Sequence, residues 1–302
     1  MNISRLRTLC ELATRRTMAA VAEAIFLTPS AVSQQIALLE AEVGVTLIER
    51  RGRGVRLTAA GRTLVAHGEQ IMSILDEASA DLAAIREEIS GEIRVAAFPS
   101  AAAALLPAAI RSLHEHYPLL EVIFAECGAD EGLTALRSWS VDVALTDDLS
   151  RVPDDKTKGL EKTFLIEDQL YALVPKDHHL SAEATITLTA LKNEMWALES
   201  TSSAYAEFVL SKCRSAGFEP RMNGNCRSFE MVAAMVASSC SVSITPGLRT
   251  FHLEPEIAVR KLMPEVKRNI FITYRQGERK HPAIQVFVQA LLASAAQIRS
   301  SS

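Results

Sequence analysis

Apolar residues recur at helical spacing through the first forty positions. Leu6, Leu9, Cys10 and Ala13 form one stripe, Ala20, Ala24 and Leu27 a second, and Ala31, Val32, Ile36 and Leu39 a third. The spacing predicts three short helices around one core. Thr28 suits the N-cap of the third helix, and Pro29 its first position, where the missing N–H costs little. Ser30, Ser33, Gln34 and Gln35 then fall on the face turned away from the core. Residues 49–57 read as two short extended arms about the glycines at 52 and 54, a hairpin ringed by Arg50, Arg51, Arg53 and Arg56. From 58 to 90 no proline intervenes, and Leu64, Ile71, Ala78, Leu82, Ile85 and Ile89 repeat at intervals of three, four or seven. This predicts one long helix whose apolar seam needs a second copy to cover it. Glu69, Asp76, Glu77, Asp81, Glu87 and Glu88 are expected in water.

After Gly91 the period changes. Strands are predicted at 93–98, 120–126 and 141–145 with helices at 102–116 and 133–138 between them. The alternation resumes with strands at 170–174, 195–198, 222–226 and near 244, and helices at 204–216 and 229–237. Strand and helix in turn predict parallel sheets with crossovers. A last strand at 269–274 and helix at 282–298 have no sheet of their own.

Composition narrows the class. With 302 residues and 48% hydrophobic content, the chain can build globular cores. The most apolar windows, 96–110 and 231–246, are broken by proline or serine and fall short of the ~20 residues that span a bilayer, so no membrane partner is expected. Arg5, Arg7, Glu11, Arg15 and Arg16 open the chain in a helical pattern where a signal peptide would be apolar, which predicts a cytoplasmic protein. The net charge of −4 conceals a division. Residues 1–62 hold nine Arg, no Lys and five Glu, a balance of +4, whereas the remainder stands at −8. The N-terminal part alone suits a polyanion, and the arginine fork grips phosphate. Cys10, Cys127, Cys213, Cys226 and Cys240 form no CxxC pair and the histidines show no ligand-like spacing, so no metal, cofactor or disulfide framework is expected. GxSxG, HExxH, P-loop and GxGxxG patterns are all missing, which argues against an enzyme.

In the major groove a Gln amide pairs with adenine, Ser hydroxyls reach bases or phosphates, and Arg favours phosphate or a narrow minor groove. The order of features from Thr17 to Glu42, then Leu38, Leu39, Glu40, Gly44, Val45, Leu47 to Arg50, and Val55, Leu57, Thr58, Ala60 and Gly61, resembles the LysR-type transcriptional regulators. Ile48 stands where that family usually has an aromatic. The resemblance implies a winged helix-turn-helix (all-α with a small wing) over 1–58 and a dimerising linker helix over 59–90. An α/β two-lobed effector domain of periplasmic-binding-protein type would fill 91–302, with lobe 1 at 91–166 and 268–302, lobe 2 at 167–267, and crossings near Glu167 and Lys267. Double-stranded DNA contacts are expected from Thr28, Pro29, Ser30, Ser33, Gln34, Gln35 and the four wing arginines.

A small-molecule inducer, expected to be anionic, is placed between the lobes. Pro99 and Ser100 on one side and Ser200, Thr201, Ser202 and Ser203 on the other begin helices after strands, where free N–H groups collect, although Ser and Thr also serve as plain caps. Thr146, Asp147, Arg227, Ser228 and Phe229 are expected to border the same cleft, where an Arg can pair a second acidic group and Asp147 can accept an amine or hydroxyl, which also admits a ligand of mixed polarity. Serines at 140, 239 and 241 depart from the family pattern near it. Some members sense peroxide with two cysteines. Here Cys213 matches one, but Ala204 holds the other position, which sets that activity aside. The family implies a homodimer or homotetramer. A solute-binding protein using the same lobes is the rival reading, and the first sixty residues oppose it.

Overall fold

The computed structural model describes residues 1–25, 27–51, 54–85, 88–149, 159–199 and 203–301. Helices α1 (Ile3–Arg15), α2 (Met18–Ala24) and α3 (Pro29–Val43) form the head, followed by the hairpin β1 (Ile48–Arg51) and β2 (Gly54–Leu57). The caps are local chemistry. Thr28 Oγ1 accepts from the Ala31 N–H at 3.2 Å, Pro29 sits in the first turn, and Gly44 closes α3 in the left-handed region at φ 71°. Leu9, Cys10, Val21, Val32, Ile36 and Leu39 fill the head core. On α2 the buried side is Val21 and Ala22, whereas Leu27, expected in the core, is 39% exposed. A helix of seven residues is too short for three-residue spacing to fix which side turns inward.

Thr58 caps α4 (Ala59–Ala84), which ends before the predicted position 90. Ile89 instead packs against the core of the following domain, so tertiary burial overrides a sequence that could continue the helix. The expected seam is divided. Leu64 and Val65 join the head core, Met72 and Ala80 are buried, while Ile74, Leu82 and Ile85 stay exposed at 63%, 65% and 78%.

Strand β3 (Gly91–Ala97), helix α5 (Pro99–His116), β4 (Leu120–Glu126), α6 (Ala129–Arg137) and β5 (Val143–Asp147) give parallel β3–β4 and β3–β5 pairings. The long strand β6 (Leu160–Pro175) then runs through both lobes. Beyond it come β7 (Thr185–Ile186), β8 (Met195–Glu199), α7 (Ala204–Ser215), β9 (Arg221–Cys226), α8 (Phe229–Ala237), β10 (Ser243–Pro246) and β11 (Ile257–Leu262). Strand β12 (Lys267–Arg275) and helix α9 (Pro282–Ser301) return to the first lobe, where Phe287 and Leu291 enter its core. The order β4-β3-β5-β12-β6-β11-β7 is mixed rather than wholly parallel: β12 is antiparallel to β5 and β6, and β10 and β11 are antiparallel to β6. Two chain crossings laid side by side in opposite directions produce this, a consequence of topology that alternation alone does not encode. Lobe 1 packs around residues such as Leu105, Ile270 and Phe287, and lobe 2 around Leu170, Trp196 and Val209.

Candidate functional site

On the head, Thr28, Pro29, Ser30, Ser33 and Gln34 form an exposed polar side of α3, and Arg56 is exposed on the hairpin. Gln35 differs: its Oε1 accepts from the Thr8 hydroxyl of α1, leaving chiefly its amide N–H groups for a partner. Arg53 and the side chains of Arg50 and Arg51 lie outside the described residues. Two head arginines turn away from this face. Arg7 Nη2 donates to the Trp139 carbonyl at 2.8 Å, and Arg15 Nη2 to the Ser138 and Ser140 hydroxyls at 3.1 Å each.

The second site is a cavity of about 490 Å³ between the lobes. Its floor is built where β6 and β12 cross, because their register sets Arg268 opposite Asp168. Arg268 is 2% exposed, donates through Nε and Nη2 to Asp168 Oδ2 at 2.9 and 2.7 Å, and reaches the Ser100 hydroxyl at 2.6 Å. Phe98 and Tyr205 flank its guanidinium at 4.8 and 5.7 Å, and Tyr205 donates to the Ile244 carbonyl at 3.0 Å. Asp147 meets Arg268 only at 3.7 Å. Burial pushes its carboxyl upward, while Arg268 pulls it down. From lobe 2, Arg249 stands 3.9 Å from both Glu199 and Glu230, over the Phe229 ring at 5.0 Å. Glu199 is raised by burial, lowered by Arg249, and raised again by Glu126 and Glu230.

Pro99, Ser100, Asp147 and Ser203 line this cavity, as the sequence pattern predicts. Thr146 does not: it is fully buried and shares a 2.8 Å hydrogen bond with Thr273, because successive strand residues point to opposite faces and only Asp147 faces the cleft. Arg227 and Ser228 are exposed and absent from the lining, and Phe229 lies behind Arg249. The 3-10 turn at Gly247–His252 presents Arg249 in the position expected of Arg227. Ser200, Thr201 and Ser202 lie outside the described residues. Arg249, Arg268, Glu126, Glu199 and Tyr205 went unpredicted. For Arg268 a signal existed, since aligning the two crossings antiparallel opposes it to an acid.

A second buried guanidinium lies at the other end of β12. Arg275 reaches Asp76 of α4 at 3.1 Å, Asp142 at 3.1 Å and Glu278 at 2.6 Å, and donates to the Leu136 and Val141 carbonyls. Trp139 Nε1 also donates to Asp76 at 3.1 Å, so this acid, expected in water, is an anchor of the linker helix. Gly277 makes the approach possible, since a Cβ there would lie 2.6 Å from the Ser73 carbonyl oxygen. Burial drives Glu278 up to about 7 against the opposing pull of Arg275.

The histidines also converge in one place despite their spacing: among the described residues, His178, His179 and Glu194 present ligand atoms within 4.8 Å of one another. His178 Nδ1 accepts from the Leu180 N–H, so its neutral ring carries the proton on Nε2, which faces Glu194 at 3.5 Å. In that tautomer the His178 ring caps the turn and points an N–H toward the Glu194 carboxylate.

Known sequences resolve the class. The family described as LysR substrate binding domain matches residues 86–296, and the bacterial regulatory helix-turn-helix protein, lysR family, matches residues 3–62. The chain belongs to the LysR family. It is a LysR-type DNA-binding transcriptional regulator with an effector-binding domain, not an enzyme, and regulators of this family bind DNA and effectors and form oligomers. It is similar to the transcriptional dual regulator GltC of Bacillus subtilis (strain 168), at 28% identity over 294 residues and 97% of each chain. In fold, this LysR-family chain resembles a full-length OxyR variant from Pseudomonas aeruginosa, with a TM-score of 0.71, 24% identity, and coverage of 96% of this chain and 94% of that one. It also resembles full-length CbnR in complex with its target DNA, with a TM-score of 0.54, 24% identity, and coverage of 98% and 100%. The Cys213 thiol is buried, and desolvation pushes it up to about 11. Among the described residues, no helix is long and apolar enough to cross a membrane.

Proposed function

We propose that the polar side of α3 and the wing arginines contact promoter DNA in the cytoplasm, and that a small molecule held between the lobes switches the complex. The supporting observation for the switch is the cavity itself, with Pro99, Ser100 and Asp147 from one lobe and Ser203, Tyr205 and Arg249 from the other. A ligand touching both lobes shifts their angle by the difference between its affinities for the two arrangements. Ser200, Thr201 and Ser202, which precede α7 in sequence, keep in this reading the effector-binding role that their serine-rich pattern suggests. Arg227, Ser228 and Phe229 act from behind it, through the Phe229–Arg249 stack. The exposed stripe of Ile74, Leu82 and Ile85 is the self-association surface, giving an even-numbered oligomer by light scattering.

Gel shifts and footprints on the DNA upstream of its own gene test the head. Gln34→Ala is expected to lose ~1–3 kcal/mol on the preferred site and relax discrimination at one position, whereas Arg53→Ala weakens all sequences and flattens the salt dependence. Equal loss on specific and random DNA for Gln34→Ala would remove that residue from base reading.

A further inference from the structure

The charge balance of the cavity identifies the chemical class of its ligand. Each of the two arginines in its wall serves two carboxylates: Arg268 faces Asp168 and Asp147, and Arg249 faces Glu199 and Glu230. Glu126 adds a further acid from the end of β4, on the lobe opposite Glu199. With Asp130 and Glu131, the described lining sets five carboxylates, Glu126, Asp130, Glu131, Asp147 and Glu199, against the two guanidiniums of Arg249 and Arg268, an excess of negative charge. Asp147 shows the excess at atomic level. Its side chain is 7% exposed and lines the cavity, with Oδ1 accepting from the Leu149 N–H at 3.2 Å. Among the described residues, Oδ2 meets Arg268 at 3.7 Å, longer than a hydrogen bond. Asp147 lines the cavity, so a ligand N⁺–H there can give this oxygen a charge-assisted hydrogen bond. Glu199 lies in a similar position across the cleft, raised first by burial and further by the Glu126 carboxylate.

Resting on the reading of this cavity as the effector site, we infer that its ligand is a small organic amine whose ammonium is held by Asp147 and the Glu126–Glu199 pair. Lobe closure brings these like charges together across the cleft, and a cation between them turns the repulsion into attraction. The ring faces of Phe98 and Tyr205 are already occupied by Arg268, so the cation is recognised by carboxylates rather than by an aromatic cage. Of the two expectations drawn from the sequence, an anion or a ligand of mixed polarity, this reading favours one that carries an ammonium, either a simple amine or an amino acid.

The experiment is thermal unfolding of the full-length protein at fixed ionic strength with 1,4-diaminobutane, 4-aminobutyrate, succinate or magnesium chloride. Either amine should raise the midpoint, succinate should not, and Glu199→Gln and Asp147→Asn should each weaken the amine response at least tenfold. Glu199 is part-exposed, so its variant tests the site even if Asp147→Asn fails to fold. A response to succinate alone, lost in Arg249→Ala, would keep the cavity as effector site and overturn the amine. An equal response to magnesium, lost in the same carboxylate variants, would give the acids to a metal ion and also overturn it. An amine response unchanged in both variants would place binding elsewhere. No response to any probe would remove both the amine and the cavity's role.

Discussion

Two arginines seven residues apart on β12 are both buried and both ringed by acids, yet one frames a cavity and the other seals a joint. The odd separation puts them on opposite faces of the strand. Arg268 faces the α5 side, where Ser100, Asp168, Phe98 and Tyr205 surround it on three sides and the fourth opens into the cleft. Arg275 faces the α6 side and is closed in by the Leu136 and Val141 carbonyls, three carboxylates and the Trp139 ring at 5.9 Å. The difference lies in where the partners come from. The partners of Arg275 include Asp76 from the linker helix, so its charge is spent on holding the helix to lobe 1. Around Arg268 the partners come from the two crossings, α5 and the end of β5, and Asp147, 3.7 Å away, faces the open cleft, which suits a guest. Strand β12 thus joins the cleft to the linker helix over ~20 Å, at the usual rise per strand residue.

Removing the guanidiniums is the strongest way to break this comparison. Arg275→Ala leaves three carboxylates facing each other without a cation and should cost ~3–5 kcal/mol in urea unfolding, whereas Arg268→Ala, beside a cavity that admits water, should cost nearer ~2–3 kcal/mol. Equal losses would mean that the two environments are energetically alike. Only Arg275→Ala should also increase protease cleavage between head and lobe.

The next effect is a pH dependence. Glu278 titrates at about 7 when folded, above the ordinary value of 4.5, because it is buried. The folded state therefore binds its proton more tightly than the unfolded chain does. Its favourable contribution is full below pH 4.5 and is lost as pH rises to about 7. Asp76, raised by burial and lowered by Arg275, adds to the same trend. Glu278→Gln should flatten the fall in stability between pH 5 and pH 8 by ~1–3 kcal/mol, read from urea midpoints at the two pH values. An unchanged slope would assign the dependence to the cleft acids instead.

The smallest effect sharpens the role of Trp139. Trp139→Phe keeps a ring near Arg275 but removes the indole donor to Asp76, an expected loss of ~0.5–1.5 kcal/mol. In a double-mutant cycle with Asp76→Asn the two losses should be non-additive. Additive losses would show that the hydrogen bond does not hold the linker helix.

The sequence by itself determined the three-helix head, the cap at Thr28, the polar side of α3 and the alternation of strands and helices, because each depends on neighbours within a turn or two. It also placed Pro99, Ser100 and Asp147 at strand ends, where an α/β fold binds ligands. Tertiary structure alone decided what depends on contacts far apart in the chain. Thr146 and Asp147 are adjacent in sequence, yet pairing with β12 buries one and opens the other to the cleft. Asp76 has the pattern of a solvated helix residue until Arg275, 199 positions later, reaches it. Charge balance in the cavity is of the same kind. A residue's sign is written in the chain, but which carboxylates share one guanidinium, and which are left in want of a cation, follows from where the two crossings bring them.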